Sequence, residues 1–150
     1  MFIRFCILSL GALVASPLWA ITCYYTLAKD NCWLKYNVTV KVMDTLTSKV
    51  LTTVTVPAGQ AWTRVTFPCE TTGQKLMYSA QFTPSIWDSE KGKEYAAKNY
   101  WSLPDTVNPG DIAWNVSVCF PADFSEIPLP PEATGSCKCD FSSIPEVKPQ

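Results

Sequence analysis

Asp88, Glu90 and Glu94 are the residues best placed by type and spacing for acid–base work, because two carboxyl groups held at the right separation hydrolyse glycosidic bonds. Lys91 and Lys93 interleave with them, and a hydrophilic connection between strands needs no catalytic cause. The same segment departs from a calcium loop, since Asp88, Glu90 and Gly92 do not supply the alternating ligands that such a loop requires. The chain contains no histidine, which excludes Ser-His-Asp triads, Cys-His pairs, imidazole metal ligands and a histidine base near neutral pH. The expectation is a non-enzymatic protein with no cofactor and no metal.

Sulfur is the second candidate for chemistry. The chain has 7 cysteines, of which Cys6 falls in a segment that reads as a secretory signal. Arg4 is its positive start, Phe5 to Ala15 its apolar run, and Ala20 the small residue before cleavage, so the mature chain is expected to begin at Ile21. The apolar run falls short of the roughly 20 residues that span a bilayer, which argues against an uncleaved anchor and against stable membrane insertion. Thr22, directly before Cys23, is not the small residue expected ahead of a lipidated cysteine. Cys23, Cys32, Cys69, Cys119, Cys137 and Cys139 remain, an even set in a chain addressed to the periplasm or the medium, and three disulfides follow. Only Lys138 separates Cys137 from Cys139, so a mutual bridge is strained and each should tie the tail to the body. A redox or metal-binding role for that pair lacks both the C-x-x-C spacing and a histidine co-ligand.

Aromatic side chains offer the stronger functional signal. Trp62 falls out of phase with Val65 and Phe67, and Trp87 follows Ile86 in a charged loop, so both indoles are candidates for exposure. Exposed indoles are enriched at interfaces, where they add apolar area and one N–H donor, although both could also fold back as minor-core residues. With Tyr100 and Trp101, the residues Trp62, Ile86 and Trp87 form the expected binding set, with Trp87 as its anchor.

The elements that must position these groups are strands. Leu34 to Val42 alternates apolar and polar residues, and Val50 to Val56 repeats the pattern after a polar connection, Asp44 to Ser48. A third strand carries Val65, Phe67 and Cys69, a fourth Leu76, Tyr78, Ala80 and Phe82, and the last runs from Ile112 to Phe120 with Trp114 in phase. Pro57-Ala58-Gly59 and Thr71-Thr72-Gly73 supply turns, and the stretch around Tyr95 to Trp101 reads as strand or as one helical turn. Six or seven short strands with one apolar face each predict an all-β, antiparallel β-sandwich, immunoglobulin-like in general architecture. Six of the 12 prolines lie beyond residue 120, so the expected organisation is a signal over 1–20, a sandwich over 21–120, and a Pro-rich, cysteine-tethered tail over 121–150 packed on it. The Pro128-Leu129-Pro130-Pro131 run reads as a stiff strap over the domain rather than a polyproline ligand.

Charge names no ligand. Twelve basic and 13 acidic residues leave a net of −1, with nine basic against six acidic groups over 21–104 and two against seven over 105–150. Nothing in that balance draws nucleic acid. The sequons at Asn37 and Asn115 lie on outward strand positions, where Asn and Thr are common without glycosylation. The function expected is a periplasmic or secreted, disulfide-stabilised binding protein for a protein or envelope glycan. An inhibitor of a secreted enzyme presenting residues 84–94, or a small exported hydrolase using the loop carboxylates, are the alternatives.

Overall fold

In the computed structural model the described residues are 21–69, 72–111, 113–133 and 135–147. The expected signal with Cys6, together with Thr71 and Ile112, lies outside them. Eight strands follow in chain order: β1 (Thr22–Lys29), β2 (Asn37–Asp44), β3 (Val50–Val56), β4 (Trp62–Phe67), β5 (Lys75–Thr83), β6 (Tyr95–Ala96), β7 (Trp101–Ser102) and β8 (Ala113–Phe120). They form two sheets, β4-β1-β8 and β3-β2-β5-β6, with β7 also paired to β5. The all-β, two-sheet expectation holds, and among the described residues no helix is long and apolar enough to cross a membrane.

The alternating runs form strands because each has one face to bury. Val38, Val40 and Val42 of β2, Val54 and Val56 of β3, and Leu76, Tyr78, Ala80 and Phe82 of β5 all point into the core, as their phase predicts. Asp44 closes the β2–β3 connection, its carboxylate accepting from the backbone N–H of Leu46 at 2.8 Å and of Thr47 at 3.0 Å.

Three features depart from expectation. β1 was not foreseen, and it is the central strand of the smaller sheet. It runs antiparallel to β4 but parallel to β8, with Cys23 opposite Trp114 and Lys29 opposite Phe120, so the sandwich is mixed rather than wholly antiparallel. Residues 34–36 belong to a turn rather than to β2. Trp33 and Tyr36 donate their backbone N–H groups to the carbonyls of Asp30 and Trp33, each at 3.1 Å, and the turn drops the Trp33 ring into the core. There it meets Phe82 at 4.8 Å and Tyr36 and Phe120 at 5.0 Å, centroid to centroid.

Three disulfides join Cys23 to Cys69, Cys32 to Cys137, and Cys119 to Cys139. Cys137 and Cys139 thus each tie the tail to the body, as their spacing predicts. The tail is also held by Lys138 N donating to Asn31 Oδ1 at 2.8 Å and by Arg64 Nη2 donating to the Pro145 carbonyl at 2.7 Å. The outward residues of β1, Thr26 and Ala28, are also buried, with Cys139 Sγ 3.6 Å from the Ala28 carbonyl.

Candidate functional site

The five aromatic and apolar residues expected to bind do not form one patch. Trp62 begins β4 on the smaller sheet, half-buried, with the Arg64 guanidinium 5.6 Å from its ring centre. Arg64 Nε donates to Thr26 Oγ1 at 2.8 Å and its Nη2 to the Pro145 carbonyl at 2.7 Å, so this corner links β1 to the tail. Ile86 and Trp87 lie in the β5–β6 connection and pack against the core as half-buried residues. The Trp87 carbonyl accepts from Glu90 N at 3.0 Å, fixing a 3-10 turn over Asp88–Glu90. Trp101 sits on β7 opposite Leu76 and is half-buried against the core. Tyr100 alone of the five is largely free, with 70% of its surface exposed.

Tyr100 borders a cleft of about 470 Å³ on the outer face of the larger sheet. Met43 and Met77, directly opposite each other on β2 and β5, belong to its lining with Ser79, Lys98 and Asn99. The sheet geometry explains the cleft. β5 pairs first with β7 at Leu76–Trp101 and then with β6 at Ser79–Ala96, a register two residues apart, so residues 97–100 must loop out of the edge. Backbone bonds of 2.9 Å from Ala97 N to the Tyr78 carbonyl and from Lys98 N to the Asp123 carbonyl pin the base of that loop. The sequence signal for it was the aromatic stretch around Tyr95, Tyr100 and Trp101. The two methionines were missed because each reads as one outward residue in a polar strand face.

Two of the three loop carboxylates, Glu90 and Glu94, are engaged with neighbours, and Asp88 begins the 3-10 turn beside them. Glu94 accepts from the Lys41 ammonium at 2.9 Å, and Glu90 lies 3.3 Å from that of Lys93. Glu90 also accepts from the Tyr95 hydroxyl, and that hydrogen bond holds its carboxyl below the ordinary glutamate range, with Lys93 adding to the effect. A group tuned this way stays ionised near neutrality and is a poor proton donor to a leaving group.

Two buried charges near the start of the tail were not anticipated. Lys29 is 3% exposed, and its ammonium donates to the carbonyls of Tyr36 at 2.7 Å, Pro57 at 2.8 Å and Leu34 at 3.3 Å. Burial pushes its pKa down to about 8, so the ammonium persists at neutral pH with all three N–H groups matched by acceptors. Asp30, also 3% exposed, has its carboxyl pushed up by burial, an effect opposed by hydrogen bonds from the backbone of Cys32 and Trp33. Its carboxylate and the sulfurs of Cys32 and Cys137 lie within 4.8 Å of one another. Those sulfurs are bonded to each other and offer no thiolate to a metal ion.

Set against known proteins, the chain matches no family model, no curated protein and no solved structure.

Proposed function

We propose that the chain is an exported, disulfide-stabilised β-sandwich, immunoglobulin-like in general architecture, that works by binding a protein or an envelope glycan. The observation that carries this reading is the exposed Tyr100 ring bordering a cleft with Met43 and Met77 in its lining. An aromatic with apolar neighbours and a few polar groups suits either partner: a side chain of a protein can enter, or a sugar ring can stack on the phenol. Lys98, Asn99 and Ser79 supply the directional contacts. Three disulfides favour such a role, since a cross-linked scaffold loses little conformational freedom when it docks. The depressed Glu90 carboxyl and the Lys41–Glu94 ion pair weigh against the hydrolase alternative. Export rests on residues 1–20, with Arg4, the apolar run and Ala20, and on the even set of paired cysteines.

The test is affinity capture from envelope extract and culture medium by wild type and by Tyr100→Ala, followed by titration of the captured partner. Loss of a buried tyrosine anchor costs about 2 kcal/mol, so the variant is expected to bind roughly 30-fold more weakly. Equal affinities for the two proteins would remove the cleft from the interface. Trp62→Ala, at the tail attachment, is expected to leave the affinity unchanged.

A further inference from the structure

We propose that the Cys32–Cys137 bridge is a thiol–disulfide exchange site for a dithiol, with the buried Asp30 carboxyl carrying the proton of the departing sulfur. The three bridges are differently placed. Cys23 is fully buried, and its bridge to Cys69 lies in the smaller sheet and its margin. Cys119 is part of β8, and Cys139 Sγ lies 3.6 Å from the Ala28 carbonyl and 3.8 Å from that of Phe120. Cys32 and Cys137 are partly buried, as Cys69, Cys119 and Cys139 also are, but theirs is the bridge with both ends outside the strands. A cleft of about 220 Å³, lined by Asn31, Cys32, Leu34, Lys35, Glu132 and Ala133, opens onto the first of them. Access to sulfur decides which disulfide reacts, and this bridge has a recess beside it.

Charges of both signs surround the recess, and its lysines are the groups that attract an incoming thiolate. Lys35 stands on its wall and Lys138 separates the two tail cysteines. Glu132, the acidic group on the wall, accepts from the Tyr36 hydroxyl, and its carboxyl is held low by that bond and further by Lys35. Asp30 lies behind the bridge, fixed by Cys32 N at 2.9 Å, with its carboxyl within 4.8 Å of both sulfurs. Burial raises its affinity for a proton, against the opposing hydrogen bonds from the backbone of Cys32 and Trp33.

The balanced step runs in two halves. One thiolate of the dithiol attacks Cys32 Sγ, forming a mixed disulfide; the S–S bond breaks, and its electron pair leaves on Cys137 Sγ, which takes the Asp30 proton. The second thiolate of the dithiol then displaces Cys32 Sγ. The bridge gains two electrons, the dithiol is oxidised to a cyclic disulfide, and Asp30 recovers a proton from solvent. Cys119–Cys139 then remains as the covalent tether of the tail.

The test treats the folded, oxidised protein with dithiothreitol under native conditions, traps free thiols by alkylation at intervals, and maps them by mass. Cys32 and Cys137 are expected to be labelled at least about tenfold faster than the other four. Opening of another bridge first, or of all three together, would overturn the assignment, and this measurement needs no variant. The part of Asp30 is tested by the pH profile of that first reduction, read against the nearby Lys35, Tyr36, Glu132 and Lys138. Wild type should show a break below the pKa of the reductant that Asp30→Asn removes and Asp30→Glu restores. Superimposable profiles would refute the proton transfer.

Discussion

Lys29 sets an unusual alkaline stability profile. Its folded-state pKa of about 8 lies below the value near 10.4 that an unfolded lysine shows, so across that window the unfolded chain holds a proton that the folded chain has released. Stability therefore rises with pH there, the reverse of the usual alkaline decline. Integrating between pH 7 and about pH 9.5, this one group contributes a gain of about 2 kcal/mol, an upper figure because the three carbonyl acceptors favour the charged form. Tyr25, Tyr36, Tyr78 and Tyr95 act oppositely. Burial raises all four, the last three to about 12, so the stability they contribute is complete below the ordinary tyrosine value and is lost as pH rises through the folded one. Urea unfolding followed by tryptophan fluorescence, on wild type and Lys29→Met, separates the two effects because the tyrosines are common to both. The difference in unfolding free energy between the proteins should move by about 2 kcal/mol in favour of wild type between pH 7 and about pH 9.5. A difference constant to within about 0.5 kcal/mol would show that the ammonium is not desolvated, and the argument would fail.

Trp33→Ala removes a fully buried indole from among three aromatic rings and should cost about 3–5 kcal/mol in the same assay. Trp33→Phe should cost much less, since the indole N–H it removes has no partner among the described residues. Glu90→Gln should flatten the acid limb of the stability profile, because the depressed Glu90 stabilises above the ordinary glutamate pKa and that contribution disappears as pH falls through its own value. Gly73→Ala should destabilise by about 1–2 kcal/mol, since φ is +69° and an added Cβ would lie 2.9 Å from Asp105 Oδ1. Thermal denaturation reads that loss directly.

Period-two alternation located β2, β3, β4, β5 and β8 because each has one buried face and one wet face. It failed at β1, where five consecutive residues from Tyr25 to Lys29 are buried, so the strand offers no contrast between its two sides. Pairing with β4 and pairing with β8 are relations between distant segments, and neither leaves a mark on residues 22–29 themselves. Lys29 was hidden for the same reason, since its three acceptors come from residues 34, 36 and 57. At the cleft, Tyr100 belonged to the expected binding set. Its setting was not visible, because the two-residue slip between β6 and β7 is a property of pairing with β5. The even cysteine count foretold three bridges, and the close spacing of Cys137 and Cys139 correctly separated their partners.

The parallel union of β1 with β8 also governs when the chain can finish folding. The strands of the larger sheet all lie before residue 103, with only the β6 edge bridged later by Phe124, whereas the strand at the centre of the smaller one keeps an unfilled edge until Phe120 is available. Vectorial synthesis or threading through a pore thus delivers one half of the sandwich early and withholds the other. A polypeptide halted before residue 113 would present a bare ladder of backbone amides to its neighbours, which makes premature termination a route to aggregation.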